Sequence, residues 1–254
     1  MLDTKVKTVN IQRKQTTLVG QLYYHADGRQ HPTIIFCPGL GEDVSFVAGY
    51  AQQLAASGYT VYTFDFSGGS ITGWSTGSTL EMSIFTEADD LRRVVRVLRQ
   101  RPEVDASQLY LAGESQGGAV AAMVANDLNQ QIAGLLLLYP AFIIPDDARK
   151  HYQDIDAIPE KIPHAFMAVG RAYYEPLLNY DIYAHLFDFT RPVLIIHGEA
   201  DRVVPISYSR RAARYYAQAT LHPIPGAGHG FYGRNEQVAI QLMLAFLSQS
   251  QSNL

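Results

Sequence analysis

The sequence predicts an α/β fold, and three observations predict it. The first 25 residues alternate apolar and polar positions, five later segments are apolar throughout, and the stretches between those segments carry helical periodicity. Alternation at Val6, Val9 and Ile11, then at Leu18, Gly20, Leu22 and Tyr24, describes antiparallel strands with one face partly solvated, so a hairpin opens the chain. The segments TIIFC, TVYTFD, QLYLAG, GLLLLY and PVLIIHG are each bounded by Gly, Pro or polar residues. Strands that are apolar on both faces belong to a mostly parallel sheet with helices covering both sides. Between them, Ser83 to Arg99 places Leu91, Val94, Val95 and Leu98 on one helical stripe, with Arg92, Arg96 and Arg99 off it. Strand and helix alternate, which is the α/β pattern.

Composition narrows the function. The 254 residues suit one α/β unit carrying an elaboration. Lys and Arg total 20 against 24 Asp and Glu, a net charge of −4 with no long run of either sign, which excludes nucleic acid as the main partner. The arginines of the Ser83 to Arg99 stretch are compensated by Asp89 at helical spacing from Arg92 and Arg93, so we read a solvated, salt-bridged face and not a phosphate site. Cys37 is the only cysteine, which removes internal disulfides and cysteine-based zinc cages and suits a reducing compartment. The N-terminal MLDTKVKTVNIQRK is polar, and the longest apolar run, Ile132 to Ile144, holds 13 residues and Pro140, short of the ~20 that cross a bilayer. We therefore expect a cytoplasmic protein without a membrane partner.

From Ala141 to Ala184 the rhythm breaks. This stretch holds Pro145, Pro159, Pro163 and Pro176 together with Phe142, Tyr152, Phe166, Tyr173, Tyr174, Tyr180 and Tyr183. We read residues 141–184 as an inserted cap on a core formed by residues 1–140 and 185–254. Its aromatics admit three uses: a substrate pocket, with Tyr173 and Tyr174 as lining candidates, a contact between copies in a homodimer, or a small core.

One constellation carries chemistry. GESQG, residues 113–117, fits the G-x-S-x-G turn that lifts a serine hydroxyl out of a strand-to-helix junction. The apolar strand Leu109 to Ala112 leads into it and the small residues Gly117 to Ala122 lead out, so Ser115 is the candidate nucleophile. GWSTG, residues 73–77, fits the same expression but has neither flank, and we read it as a loop. A serine needs a base within reach and an acid to orient that base. Asp201 in HGEADRVVP and His229 in IPGAGHGF each follow a strand-like segment, and the order Ser115, Asp201, His229 is that of one known triad arrangement. Glu199 is the rival acid, set aside as a surface residue; His197 reads as a turn support. Oxyanion donors would be the amides of Gln116, after the nucleophile, and Leu40, in CPGLGED after an earlier strand. Cys37 reads as a small buried hydrophobe, and Glu42 and Asp43 as acids at a helix start, with no metal. No cofactor is expected.

Together, PGLGED, DFSGGS, GESQGG, LLYPA, HGEADRVVP and GAGHGF resemble the α/β-hydrolase superfamily over nearly the whole chain. SQGG, AIPEKIP, FTRPVLIIHGEADRVVP and ATLHPIPGAGHGF resemble more narrowly the bacterial cinnamoyl or feruloyl esterases, which are serine carboxylesterases with a small inserted cap. The resemblance implies an eight-stranded, mostly parallel sheet, a Ser115–His229–Asp201 triad, Leu40 and Gln116 as oxyanion donors, and a small-molecule ester, short-chain or aryl, as substrate. The sequence departs from that pattern at Pro38 and Glu114, where histidines are usual, and at DFSGGS in place of Gly-His-Gly. A thioesterase or a small peptidase would use the same triad. A ligand-binding protein on this fold would be expected to have lost one of its members.

Overall fold

The apolar segments form the strands that their patterning requires. A computed structural model describes residues 3–164, 167–184 and 186–252. The strands are β1 (Thr4–Arg13), β2 (Thr16–His25), β3 (His31–Cys37), β4 (Thr60–Phe64), β5 (Val104–Glu114), β6 (Gly134–Leu138), β7 (Lys161–His164), β8 (Met167–Gly170), β9 (Val193–Gly198) and β10 (Ala219–Ile224). The helices are α1 (Ala48–Ala56), α2 (Ile84–Leu98), α3 (Ser115–Asp127), α4 (Ile144–His151), α5 (Arg171–Tyr174), α6 (Ser207–Tyr215) and α7 (Arg234–Ser252). Eight strands make one sheet in the order β1-β2-β4-β3-β5-β6-β9-β10. The β1–β2 and β2–β4 pairs are antiparallel and every other neighbour in this sheet is parallel.

Burial on both faces explains the unbroken apolar runs. In β3, Ile34 and Phe36 enter one cluster with Tyr50 and Leu54 of α1 and Met243 and Leu247 of α7. Ile35 and Cys37 enter the other, with Leu91, Val94, Val95 and Leu98 of α2 and Val120 and Val124 of α3. The stripe predicted for α2 is thus its buried face. On the opposite face Arg92 pairs with Asp89 at 2.9 Å and with Asp127, as compensation predicts; Arg93 instead donates to the Gln12 carbonyl at 2.9 Å.

Between β6 and β9 the chain carries α4, the antiparallel pair β7–β8 and α5, and its Phe142, Tyr173, Tyr174, Leu177 and Tyr183 join the α2–α3 cluster. Phe166 lies outside the described residues. A buried polar chain fastens this segment to α3 and α2: the Tyr173 hydroxyl donates to Gln116 Oε1 at 2.7 Å, and Gln116 Nε2 donates to Glu87 Oε2 at 3.0 Å. Glu87 is only 1% exposed, and burial, opposed by the Gln116 hydrogen bond, pushes its carboxyl from the ordinary 4.5 up to about 8. Among the described residues no helix is long and apolar enough to cross a membrane.

That elevation makes stability depend on pH. A group protonated in the fold but ionised in the unfolded chain contributes fully below about pH 4.5, and its contribution is lost as pH rises through about 8. Glu87→Gln, which stays neutral and keeps an acceptor for Gln116, should therefore gain on wild type at up to about 1.4 kcal/mol per pH unit across that window. Denaturant titrations of both proteins at several pH values test this, and a pH-independent difference between them would refute it.

Candidate active site

β5 lies in the middle of the sheet and ends at Glu114, and α3 begins with the next residue, Ser115. The backbone turns there through the left-handed region, with φ 49° at Ser115. Two glycines make so tight a turn possible. A Cβ on Gly113 would lie 2.4 Å from the Gly117 carbonyl oxygen, and one on Gly117 would lie 2.2 Å from the Pro38 and 2.6 Å from the Cys37 carbonyl oxygens, none of which can yield cheaply. The start of α3 is therefore pressed against the turn that follows β3, where Leu40 sits.

Ser115 Oγ is 2.9 Å from His229 Nε2, and His229 Nδ1 is 2.8 Å from Asp201 Oδ2. An ionised Asp201 can only accept, so Nδ1 carries the ring hydrogen and the Nε2 lone pair faces the serine hydroxyl. Asp201 follows β9 and its side chain is fully buried. Its Oδ1 accepts the amides of Val203 and Val204, both at 2.9 Å. Burial alone would raise this carboxyl; hydrogen bonds from His197, His229 and the Val204 amide reverse the effect and hold it well below the usual carboxylate range. His197 is itself fully buried, with Nε2 donating to the Val204 carbonyl at 2.8 Å and Nδ1 accepting from Ser209 Oγ at 2.7 Å. The turn-supporting reading of His197 thus gains a second part, since its Nε2 also lies 3.3 Å from Asp201 Oδ2. The His229 ring packs edge to face on Tyr139 at 4.8 Å, and Tyr139 packs likewise on Phe231 at 4.7 Å.

The Leu40 turn is braced on either side. The Gly39 amide donates to Glu42 Oε2 at 2.7 Å, the Gly41 amide to the Gly69 carbonyl at 2.9 Å, and the Glu42 amide to the Gly39 carbonyl at 3.2 Å. The Leu40 amide has no acceptor among the described residues. Gln116 stands in the first turn of α3, where helix amides lack intrahelical acceptors. The turn that follows β3 and the first turn of α3 therefore meet beside the serine, each with a backbone amide that no acceptor within its own element occupies.

The remaining candidates have other occupations. Ser75 Oγ donates to the Asp65 carbonyl at 2.6 Å and accepts the Val19 amide at 2.7 Å, which ties a loop to β2. Glu199 is exposed. Cys37 is fully buried, and burial pushes its thiol well up, so it is a poor nucleophile. Asp43 accepts from Ser45 and Thr72. Tyr173 holds the Gln116 side chain, and Tyr174 packs edge to face against Tyr152 at 5.2 Å and Tyr173 at 5.0 Å. Sequence reasoning missed the buried pair that Glu114 forms with Tyr139, whose hydroxyl donates to Glu114 Oε2 at 2.5 Å. The available signal was a glutamate at the end of the run Leu109–Gly113, which is otherwise free of polar side chains.

The chain is similar to several known proteins. A family model described as serine aminopeptidase, S33 matches residues 28–169, and one described as TAP-like protein matches residues 184–253. An uncharacterized protein of Mycobacterium tuberculosis is 27% identical over 213 residues, spanning 84% of this chain and 68% of that protein. A putative carbamate hydrolase, RutD, of Variovorax paradoxus is 25% identical over 261 residues, spanning 88% and 93%. The solved structure of Est1E from Butyrivibrio proteoclasticus with ferulic acid bound shares the fold with a TM-score of 0.86 at 24% identity, covering 95% of this chain and 98% of that one. The chain belongs to the α/β-hydrolases, within the family described as serine aminopeptidase, S33, and it is a hydrolase.

Proposed function

We propose that the protein cleaves carboxylic esters of small molecules through an acyl-enzyme, with Ser115 as nucleophile, His229 as general base and acid, and Asp201 as the orienting carboxylate. The observation that carries the proposal is the continuous hydrogen-bonded line Ser115 Oγ–His229 Nε2–His229 Nδ1–Asp201 Oδ2, at 2.9 and 2.8 Å. Ser115 attacks the ester carbonyl as Nε2 takes its proton; the imidazolium that forms is stabilised by the buried Asp201. The Leu40 and Gln116 amides hold the oxyanion. His229 then protonates the leaving alcohol, and in the second half-reaction it activates the water that releases the acid. The insertion, residues 141–184, serves as the cap over this chemistry and shapes its specificity, and the fully buried, unpaired Cys37 suits a cytoplasmic setting. A carbamate presents the same kind of carbonyl to the same groups, and the similarity to a putative carbamate hydrolase makes that the second reading.

Ser115→Ala should lower kcat on short p-nitrophenyl esters by on the order of a thousandfold or more and abolish fluorophosphonate labelling, while Ser75→Ala should leave both near wild type. Equal losses in the two folded variants would reject the assignment. Running ester, thioester, carbamate and amide substrates side by side ranks the leaving groups. For the insertion, Tyr173→Phe removes the hydroxyl bonded to Gln116 and should reduce kcat on every ester by a similar factor. Tyr174→Ala should instead change the ratio of aryl to alkyl ester rates, and an unchanged ratio would count against aryl recognition by this insertion.

A further inference from the structure

Ser115 and His229 stand 114 residues apart in the chain, and one buried side chain touches the segments that carry both. Tyr139 directly follows β6, whose last residue, Leu138, is in register with Glu114 of β5, so it leaves the sheet beside the nucleophile. Its hydroxyl donates at 2.5 Å to Oε2 of Glu114, the residue before Ser115. Its ring packs edge to face on the His229 imidazole at 4.8 Å and on Phe231 at 4.7 Å, so it bears on two rings of the segment that carries the base.

The backbone at this corner is fixed just as closely. The Tyr139 amide donates to the Ile196 carbonyl of β9 at 2.7 Å, and two residues on the Ala141 amide donates to the Ser115 carbonyl at 2.8 Å. Between these ties the chain passes through φ 36° at Tyr139, a left-handed conformation that is costly for a bulky residue and persists only where the surroundings over-determine it. A glycine would adopt it freely but would supply neither ring nor hydroxyl. Tyr139 is 3% exposed and Glu114 4%, so their hydrogen bond is made away from water, and losing the carboxyl would leave the hydroxyl without that acceptor.

His229 needs such support. Its bonds to Ser115 and Asp201 run in the plane of the imidazole, and the Nε2 lone pair meets the serine hydroxyl only while that plane is kept. Its side chain is 20% exposed and so is not enclosed by packing, whereas the Tyr139 ring belongs to the buried cluster of α1 and α7 and resists a tilt of the imidazole.

We infer that Tyr139 is a positioning residue that holds His229 in line with Ser115, its ring bearing on the imidazole and its hydroxyl pinned to the strand end that carries the serine. It is buried and acts through His229, not on substrate. The kinetic consequence rests on the ester-hydrolase reading above; the hold on the imidazole does not.

The two contacts separate by substitution. Tyr139→Phe keeps the ring and loses the pin, and should lower kcat on a p-nitrophenyl ester about tenfold; Tyr139→Leu loses both and should lower it about a hundredfold, each with KM within about twofold of wild type. Rates are taken per site titrated with fluorophosphonate, so that misfolded protein does not count. Glu114→Leu removes the acceptor and should match Tyr139→Phe. Adding Tyr139→Phe to Glu114→Leu should cost nothing further, because both variants remove the same bond. Glu114→Gln, which restores an acceptor for the hydroxyl, should recover most of what Glu114→Leu loses.

Proton NMR gives a readout that needs no turnover. The His229 Nδ1 proton, hydrogen-bonded to Asp201, should appear as a downfield signal that is absent from His229→Gln. It should be displaced or lost to exchange in folded Tyr139→Leu and less disturbed in Tyr139→Phe. An unchanged signal in Tyr139→Leu, an unchanged kcat per titrated site in that variant, or losses from Tyr139→Phe and Glu114→Leu that multiply in the double variant would overturn the inference. If wild type turns over no ester and resists fluorophosphonate, the function proposal fails, while the NMR comparison still decides whether Tyr139 holds the imidazole.

Discussion

The close approach of α3 to the turn after β3 is the constraint from which the rest of the site follows. With the Pro38 carbonyl only 2.2 Å from where a Gly117 side chain would begin, the helix cannot retreat without losing the packing of Val120 and Val124, nor advance at all. Ser115 then occupies its left-handed conformation, and the first turn of α3 stays packed against the turn that follows β3. Parallel register supplies the other groups. Cys37 pairs with Gly113, Glu114 with Leu138, Leu138 with Ile196, and Ile224 with Gly198, so five strands end at one level and release their loops along one edge. Asp201 and His229 reach the serine because the sheet delivers them there, on segments remote in the chain.

Gathering loops at a buried edge forces carboxyls out of water, and donor supply decides the state of each. Asp201 receives the Val203 and Val204 amides and two imidazole nitrogens, and it stays ionised despite its burial. Glu87 receives a single amide NH2 from Gln116, and its affinity for a proton rises. Glu114 receives one phenol, and burial together with the nearby Glu42 raises its affinity for a proton as well. Three buried carboxyls within one site are thus set to different charges by counting donors, with no metal or cation required to explain any of them.

How much of this the sequence discloses follows from the range of each interaction. The elbow was legible because its requirements are local: an apolar strand, glycines at two fixed offsets, and small residues in the first turn of the helix. The opening hairpin and the buried strands were legible from alternation and from its absence. Within residues 141–184 prolines and aromatics marked a break, but the β7–β8 pair and the short α5 take their form from packing on α2 and α3, which local pattern does not encode. Tyr173 illustrates the difference. Composition made it a candidate for lining a pocket, whereas its hydroxyl lies buried on Gln116. Glu42 reads in sequence as a helix-start acid, and only the folded turn after β3 reveals that its carboxyl accepts the Gly39 amide.

Residues 141–184 and the proposed chemistry are therefore not separable parts. Gln116 contributes its amide to the proposed oxyanion site while its side chain links Tyr173 of the insertion to Glu87 of α2. Exchanging the insertion for another while discarding Tyr173 would leave a buried carboxamide oxygen without its donor, at a cost of about 1–3 kcal/mol, and would free the side chain of the very residue whose backbone must stay in place. Tyr152 and Tyr174 pack on one another outside the Tyr173–Gln116–Glu87 chain, so changes there leave the link itself untouched. In this fold residues 141–184 can change without disturbing Gln116 only so far as that hydrogen bond stays intact.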